Sequence, residues 1–187
     1  FRYRGAPRHS LPGQVFVLHP DETHDGHAGT GAGFRYRIAY VEPGLIRDAL
    51  GGPRRPLPFV REAVSSNRSL AAAIMPALDD LDLPLEDLHR DQIIVGLADA
   101  LARADPSAAP RKPSSRHWSA VGRARDLLDA NVPKGVSSAE LEAVTGLTRY
   151  AVARHFRACL GHKPLPVSDH AASRPGALAD PARGAAR

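Results

Sequence analysis

The sequence predicts an α+β chain, with strands early and helices after them. Two changes of period and one capping pattern carry that expectation. Up to about Val41 the apolar residues alternate with polar or basic ones, the period of a half-buried strand. From about Val60 the spacing lengthens to that of a helix. From about Ser119 short helical stretches follow one another closely, separated by capping residues.

Residues 14–18, Gln14-Val15-Phe16-Val17-Leu18, are β-branched and apolar and follow the turn pair Pro12-Gly13. Residues 34–41 alternate aromatic or apolar side chains with basic ones, as a strand with two differently wetted faces does. The polar stretch His19-Pro20-Asp21-Glu22-Thr23-His24-Asp25-Gly26-His27 lies between them. Two strands joined this way predict an antiparallel sheet that needs further strands upstream. The first residue is Phe1, so the reading expects more chain before it.

Leu70, Ile74 and Leu78 stand four apart in the Ala-rich stretch 69–78 and predict a helix. Leu85, Leu88, Ile94, Leu97, Ala98 and Leu101 make one face of the next, with Pro84 at its start. Residues 104–115 hold Pro106, Pro110 and Pro113 among Ala, Ser and basic residues, the composition of a stiff linker. A third helix covers about residues 119–130, with Val121, Ala124, Leu127 and Leu128 inward and Trp118 packing on the linker. Ser137-Ser138-Ala139-Glu140 is a capping box, each end satisfying the other's free donor. It opens a helix through Leu141 and Val144 that Gly146 ends. Thr148 caps the last helix, on which Val152, Phe156 and Leu160 share a face. After Gly161 the apolar period stops, and residues 162–187 are expected to be disordered.

Composition narrows the function. Apolar residues are 43% of the 187 and aromatics 5%, so the core is mostly Ala, Leu and Val. Lys plus Arg less Asp plus Glu is 25 − 20 = +5, which suits a polyanionic partner. A single cysteine excludes a disulfide framework and a Cys-based zinc site. Cys159, on the last helix, reads as a small core residue. No apolar run approaches the roughly 18 residues of a membrane span, and no secretory signal is visible. The reading is a soluble, cytoplasmic protein that does not bind membranes.

The last two helices and their glycine turn form a helix-turn-helix pattern. From Thr148 to Gly161 there are three Arg and no Asp or Glu, a local balance of +3. Cations of this kind neutralise DNA phosphates and release condensed counterions. The first residues of a recognition helix reach base edges, and arginine suits guanine.

Leu147-Thr148-Arg149-Tyr150-Ala151-Val152-Ala153-Arg154-His155-Phe156-Arg157 resembles the first helix-turn-helix of the AraC-family transcriptional regulators. The matching positions are Leu147, Thr148, Val152, Arg154, Phe156 and Arg157. Pro12-Gly13, Val15 to Leu18, Pro20, His24 and the run to Val41-Glu42-Pro43 resemble the second half of that family's cupin-type sensor domain. The resemblance covers about residues 9–161. It implies a partial cupin-like sheet with following helices, then an all-α helix-turn-helix unit. The division is residues 1–103 for effector sensing and dimerisation, 104–117 for the linker, 118–161 for DNA binding and 162–187 for the tail.

The resemblance implies a small-molecule-responsive, sequence-specific DNA-binding regulator. Its partners would be double-stranded DNA, an unidentified effector, a second copy through the 85–101 helix, and RNA polymerase. The DNA-binding residues it points to are Arg149, Tyr150, Ala153, Arg154 and Arg157. Ala153 stands where relatives often carry a polar base-reading residue, which shifts the reading of bases to Tyr150 and Arg154. Glu142 stands where relatives have a small alanine and is expected to reach solvent. The family carries two helix-turn-helix units, and this sequence shows one. Read one nucleotide later with permitted codons, residues 162–177 resemble the start of the family's connecting helix, so the tail is expected to be out-of-frame text and the regulator incomplete.

His24, Tyr36 and Tyr40 are the candidates for effector contact; plain turn and sheet roles are the alternative. Tyr36, Arg37 and Tyr40 mix aromatic walls with a polar anchor. His19, His24, His27, Asp21 and Glu22 have the residue types of a metal site but not the usual cupin spacing, so no metal or other cofactor is assigned. No nucleophile–base pair or phosphate loop is visible, and the chain reads as a non-enzyme. Two alternatives stand beside the regulator: a cupin-type metal-dependent enzyme with a helical appendage, and a non-functional truncated remnant.

Overall fold

A computed structural model describes residues 2–29, 31, 33, 35–80, 84–108 and 117–160. The expectations for the tail, for most of the linker and for Phe34 lie outside the described residues. The chain is mixed α+β, as the sequence predicts. The strands are β1 (Arg2–Tyr3), β2 (Ala6–Pro7), β3 (Val15–Phe16), β4 (His24–Asp25) and β5 (Val64–Ser65). The helices are α1 (Pro43–Ala49), α2 (Arg68–Asp80), α3 (Asp87–Ala104), α4 (Trp118–Ala130), α5 (Ser138–Thr145) and α6 (Arg149–Leu160).

The strands form two small antiparallel sheets, β2-β1-β4 and β3-β5. Arg4 and Gly5 join β1 to β2 with φ of 51° and 74°. Two consecutive left-handed residues match the right-handed twist of the flanking strands. Residues 14–18 contribute β3, but its partner is β5, not residues 34–41; Val15 stands opposite Ser65 and Phe16 opposite Val64. Residues 35–41 carry no strand at all. Period two says that a segment can lie with one face wet; it does not say which segment it pairs with, and an unpaired strand leaves its backbone to water. Tyr36 is 67% and Tyr40 91% exposed in that irregular stretch.

Helix α1 has no counterpart in the sequence reading. Pro43 occupies its first turn, where the missing N–H costs nothing, and Ile46, Ala49 and Leu50 recur on its buried side. Helix α2 starts where Asn67 Oδ1 accepts the backbone N–H groups of Ser69 at 2.9 Å and Leu70 at 3.1 Å. Its Leu70 packs with Val15 of β3 and Ala100 of α3 in a small apolar core.

The larger core draws on both ends of the chain. Ile46 of α1 and Leu88, Val95 and Ala98 of α3 are buried with Val121 and Leu128 of α4, Leu141 of α5, and Val152 and Phe156 of α6. Ile94, Leu97 and Leu101 lie half-buried against the same core, and Cys159 packs there too. The 85–101 stripe is therefore used within the chain, because α3 touches α1, α2 and α6. Trp118, the first residue of α4, is exposed.

Candidate nucleic-acid interface

Local chemistry sets the α5–α6 unit. Ser137 accepts the Glu140 backbone N–H, and the Glu140 carboxylate accepts the Ser137 backbone N–H at 2.8 Å, so the capping box is complete. These bonds hold the Glu140 carboxyl below its ordinary range, the Ser137 hydroxyl contributing most. Gly146 closes α5 at φ 69°, a left-handed backbone that strains any residue with a side chain. Arg123 of α4 donates to the Val144 carbonyl at 2.9 Å and the Thr145 carbonyl at 3.0 Å. It thus covers the electron-rich end of α5 with a cation. Thr148 Oγ1 accepts the Ala151 N–H at 3.4 Å, a long capping bond.

Glu142 does more than reach solvent. It is half-buried, and its Oε1 accepts the Arg149 backbone N–H at 2.6 Å. A carboxylate at the start of α6 satisfies a free donor and opposes the positive end of the helix.

The residues expected to meet DNA are brought together on α6 but face the protein. Ala153 is fully buried and Tyr150 nearly so, both in the larger core. Arg149 lies over the Tyr150 ring at 4.7 Å, donates to its hydroxyl at 2.9 Å, and pairs with Asp91 of α3 at 3.1 Å. Arg154 donates to the Ala49 carbonyl at the end of α1. Arg157 lies along α3 so closely that a Cβ built on Gly96 would stand 2.5 Å from its Nη1. Helix α6 therefore packs against α4 and α5 within its unit and against α1 and α3 outside it.

The sequence reading missed the anionic side of this contact. Asp91 is 1% exposed, in the second turn of α3. Its Oδ2 accepts the Ser138 hydroxyl at 2.6 Å. Its Oδ1 lies near the Arg149 guanidinium but has no hydrogen bond, so that pair is close and poorly aligned. Burial pushes the Asp91 carboxyl up, against the opposing pull of Ser138 and Arg149. One turn earlier, Asp87 accepts the Ser138 backbone N–H at 2.9 Å. That bond, with Arg90 and Arg149 nearby, holds its carboxyl below the ordinary range. A usable signal existed: an aspartate three residues after Leu88 and three before Ile94 sits inside the apolar face of α3, where an acid needs a partner.

His155 is 4% exposed, and its ring lies 4.5 Å from that of His117. Burial lowers its pKa, with the charges of His117 and Arg154 adding to the effect.

The effector candidates are not assembled. His24 is exposed in β4, its Nδ1 3.0 Å from the Glu22 carbonyl, and Tyr36 and Tyr40 stand out in solvent. A different cluster forms among the strands. Arg4 pairs with Glu22 and lies over the rings of Tyr3, at 4.9 Å, and Phe59, at 4.7 Å, while His19 stacks on Phe59 at 4.9 Å. Among the described residues no group of His, Cys, Asp or Glu is arranged to hold a metal ion. Among them, too, no helix is long and apolar enough to cross a membrane.

Compared with known proteins, residues 1–98 match the model of the AraC-like ligand binding domain. No curated protein and no solved structure matches the chain.

Proposed function

The chain belongs to the family of AraC-like ligand-binding domains, and from that premise we propose that it is a small-molecule-responsive, DNA-binding transcription regulator of the AraC type, working in the cytoplasm. In this reading residues 1–103 sense the effector and residues 118–161 bind double-stranded DNA, with residues 104–117 linking them. Arg149, Tyr150, Ala153, Arg154 and Arg157 form the DNA-facing surface of α6 when the unit is engaged. Pairing of two chains and contact with RNA polymerase would follow from the same regulatory role.

One observation supports the DNA half above the others. The capping box, the left-handed Gly146 and the capped start of α6 hold two short helices in the helix-turn-helix order, and the second has three cations and no acid. A sensor attached to such a unit needs no catalytic group.

The test is DNA binding by the full chain, titrated against salt. A single unit with three arginines is expected to bind on the order of 10⁻⁴–10⁻⁶ M at physiological salt and to weaken log-linearly as salt rises. Arg154→Ala should flatten the salt slope by about one. Binding that ignores salt, or no binding at low salt by a folded sample, would sink the DNA-binding reading.

A further inference from the structure

Two buried oxygens at the strand-bearing end lack hydrogen bonds among the described residues. Tyr3, in the centre strand of the β2-β1-β4 sheet, is 1% exposed, and its hydroxyl has no partner. Glu22 is half-buried; its Oε1 pairs with Arg4, and its Oε2 is buried without a partner. A buried polar atom left this way costs stability, so it calls for an explanation. Both residues meet one guanidinium, since Arg4 lies over the Tyr3 ring and pairs with Glu22. We propose that Tyr3 and Glu22 are the polar contacts of a small-molecule site beneath Arg4, and that its ligand is an uncharged compound that donates hydrogen bonds through amide or hydroxyl groups. The proposal rests on the effector-sensing reading of residues 1–103 and gives that sensor a site and a ligand class.

Three separate stretches of chain build the cluster. The β1–β2 connection supplies Tyr3 and Arg4, the loop after β3 supplies His19 and Glu22, and the approach to β5 supplies Phe59. Arg4 donates from Nη1 to the Arg61 carbonyl at 3.1 Å, and His19 stacks on Phe59 with its Nε2 3.3 Å from the Val60 carbonyl. Arg4 holds a left-handed backbone at φ 51°, a conformation that persists in a residue with a side chain only where its surroundings fix it. Access is from the Arg4 side, where the Arg4 side chain is 33% and Phe59 45% exposed. A few placed polar atoms beside aromatic walls are the usual make-up of a small-molecule site. All five residues lie within the matched ligand-binding region, residues 1–98.

The free atoms select the ligand. An ionised carboxylate only accepts, so whatever meets Oε2 must donate. A cationic donor would stand beside the Arg4 guanidinium, and an anion would face the Glu22 carboxylate. Either placement sets like charges together in a partly buried site. A neutral amide or hydroxyl meets Oε2 without that cost, and the Tyr3 hydroxyl both donates and accepts. A ligand without a donor leaves the buried oxygen unpaired, which makes the discrimination steep.

The experiment is thermal unfolding of the full chain, of Tyr3→Phe and of Glu22→Gln. Each is measured alone and with four probes that share a phenyl ring: benzamide, acetophenone, benzylamine and benzoate. Phenylalanine keeps the ring under Arg4 and removes only the hydroxyl. Its midpoint without a probe is therefore expected to rise by about 2–4 °C. With the unchanged chain, benzamide should raise the midpoint as its concentration grows, and the other three should bind about tenfold more weakly. Tyr3→Phe should weaken benzamide by about tenfold. Glu22→Gln puts a donor where Oε2 was, so it should bring acetophenone level with benzamide. A Tyr3→Phe midpoint no higher than that of the unchanged chain would show that the hydroxyl is already bonded in solution, and the site would fall. Benzylamine or benzoate acting as strongly as benzamide would overturn the ligand class. No benzamide shift in the unchanged chain would overturn the proposal outright. DNA binding by the same samples separates the two readings. Salt-dependent DNA binding without a benzamide shift removes this site alone, and a benzamide shift without DNA binding supports the site and removes the regulator.

Discussion

Helix α6 meets two kinds of neighbour, and the strand-bearing end of the chain meets neither. Within its own unit α6 shares a core of aliphatic and aromatic side chains, Val152 and Phe156 with Leu128 and Leu141. Towards α1 and α3 it shares the same core, through Ile46, Val95 and Ala98, and adds guanidinium groups at its edge. At the other end the strands are two residues each, the core under them is Val15, Leu70 and Ala100, and residues 35–40 lie open. The difference separates contacts that stabilise through buried area from contacts that depend on charge. Apolar burial scales with area and tolerates no replacement by water. Charged contact is nearly balanced against solvation and can be exchanged.

That contrast breaks most visibly at the centre of the larger core. Phe156→Ala is expected to cost about 4 kcal/mol in urea unfolding, because a buried ring leaves a cavity that five helices cannot close together. Leu70→Ala should cost about 2 kcal/mol, the low end for such a deletion, since the small core beneath the strands has room to collapse. Equal losses at the two sites would mean that both ends rest on cores of one kind.

A smaller effect sharpens the local side. Ser137→Ala removes the side-chain half of the capping box and is expected to cost about 1 kcal/mol, read as a lower unfolding midpoint with an unchanged denaturant slope.

The smallest expected effect is with pH. His155 has a lowered pKa, chiefly through burial and then through His117 and Arg154. The unfolded chain therefore takes up this proton first as the pH falls below the ordinary value of 6.5. Stability present above that value is lost as the pH drops towards the folded pKa. His155→Leu should flatten the loss between pH 7 and 5 in thermal unfolding; an equally steep loss would assign the effect to other groups. Asp91 works in the opposite sense, since its raised pKa favours the folded state as the pH falls.

What the residues alone determined is local. The capping box at Ser137 and Glu140, the stop at Gly146, the cap at Thr148 and the Leu70-Ile74 spacing each act within four residues, so their structure follows from nearby sequence. The likeness of the first half to the AraC-like ligand-binding family was legible in the same way, as a run of residue types. Helix α1 is legible too, from Pro43 and the Ile46, Ala49 and Leu50 spacing, although the sequence reading stops its strand just before it and assigns no element there.

Only the tertiary structure decided who meets whom. It paired β3 with β5 instead of residues 34–41, left Tyr36 and Tyr40 in solvent, and put Asp91 under Arg149. Asp91 and Arg149 are far apart in sequence, and an ion pair carries no period or cap that marks its partner. Such contacts are chosen by which faces remain after the helices have formed. The same arginines read as a DNA-facing surface in the sequence and as an internal contact in the fold, because local chemistry sets what a helix carries and packing sets which way it faces.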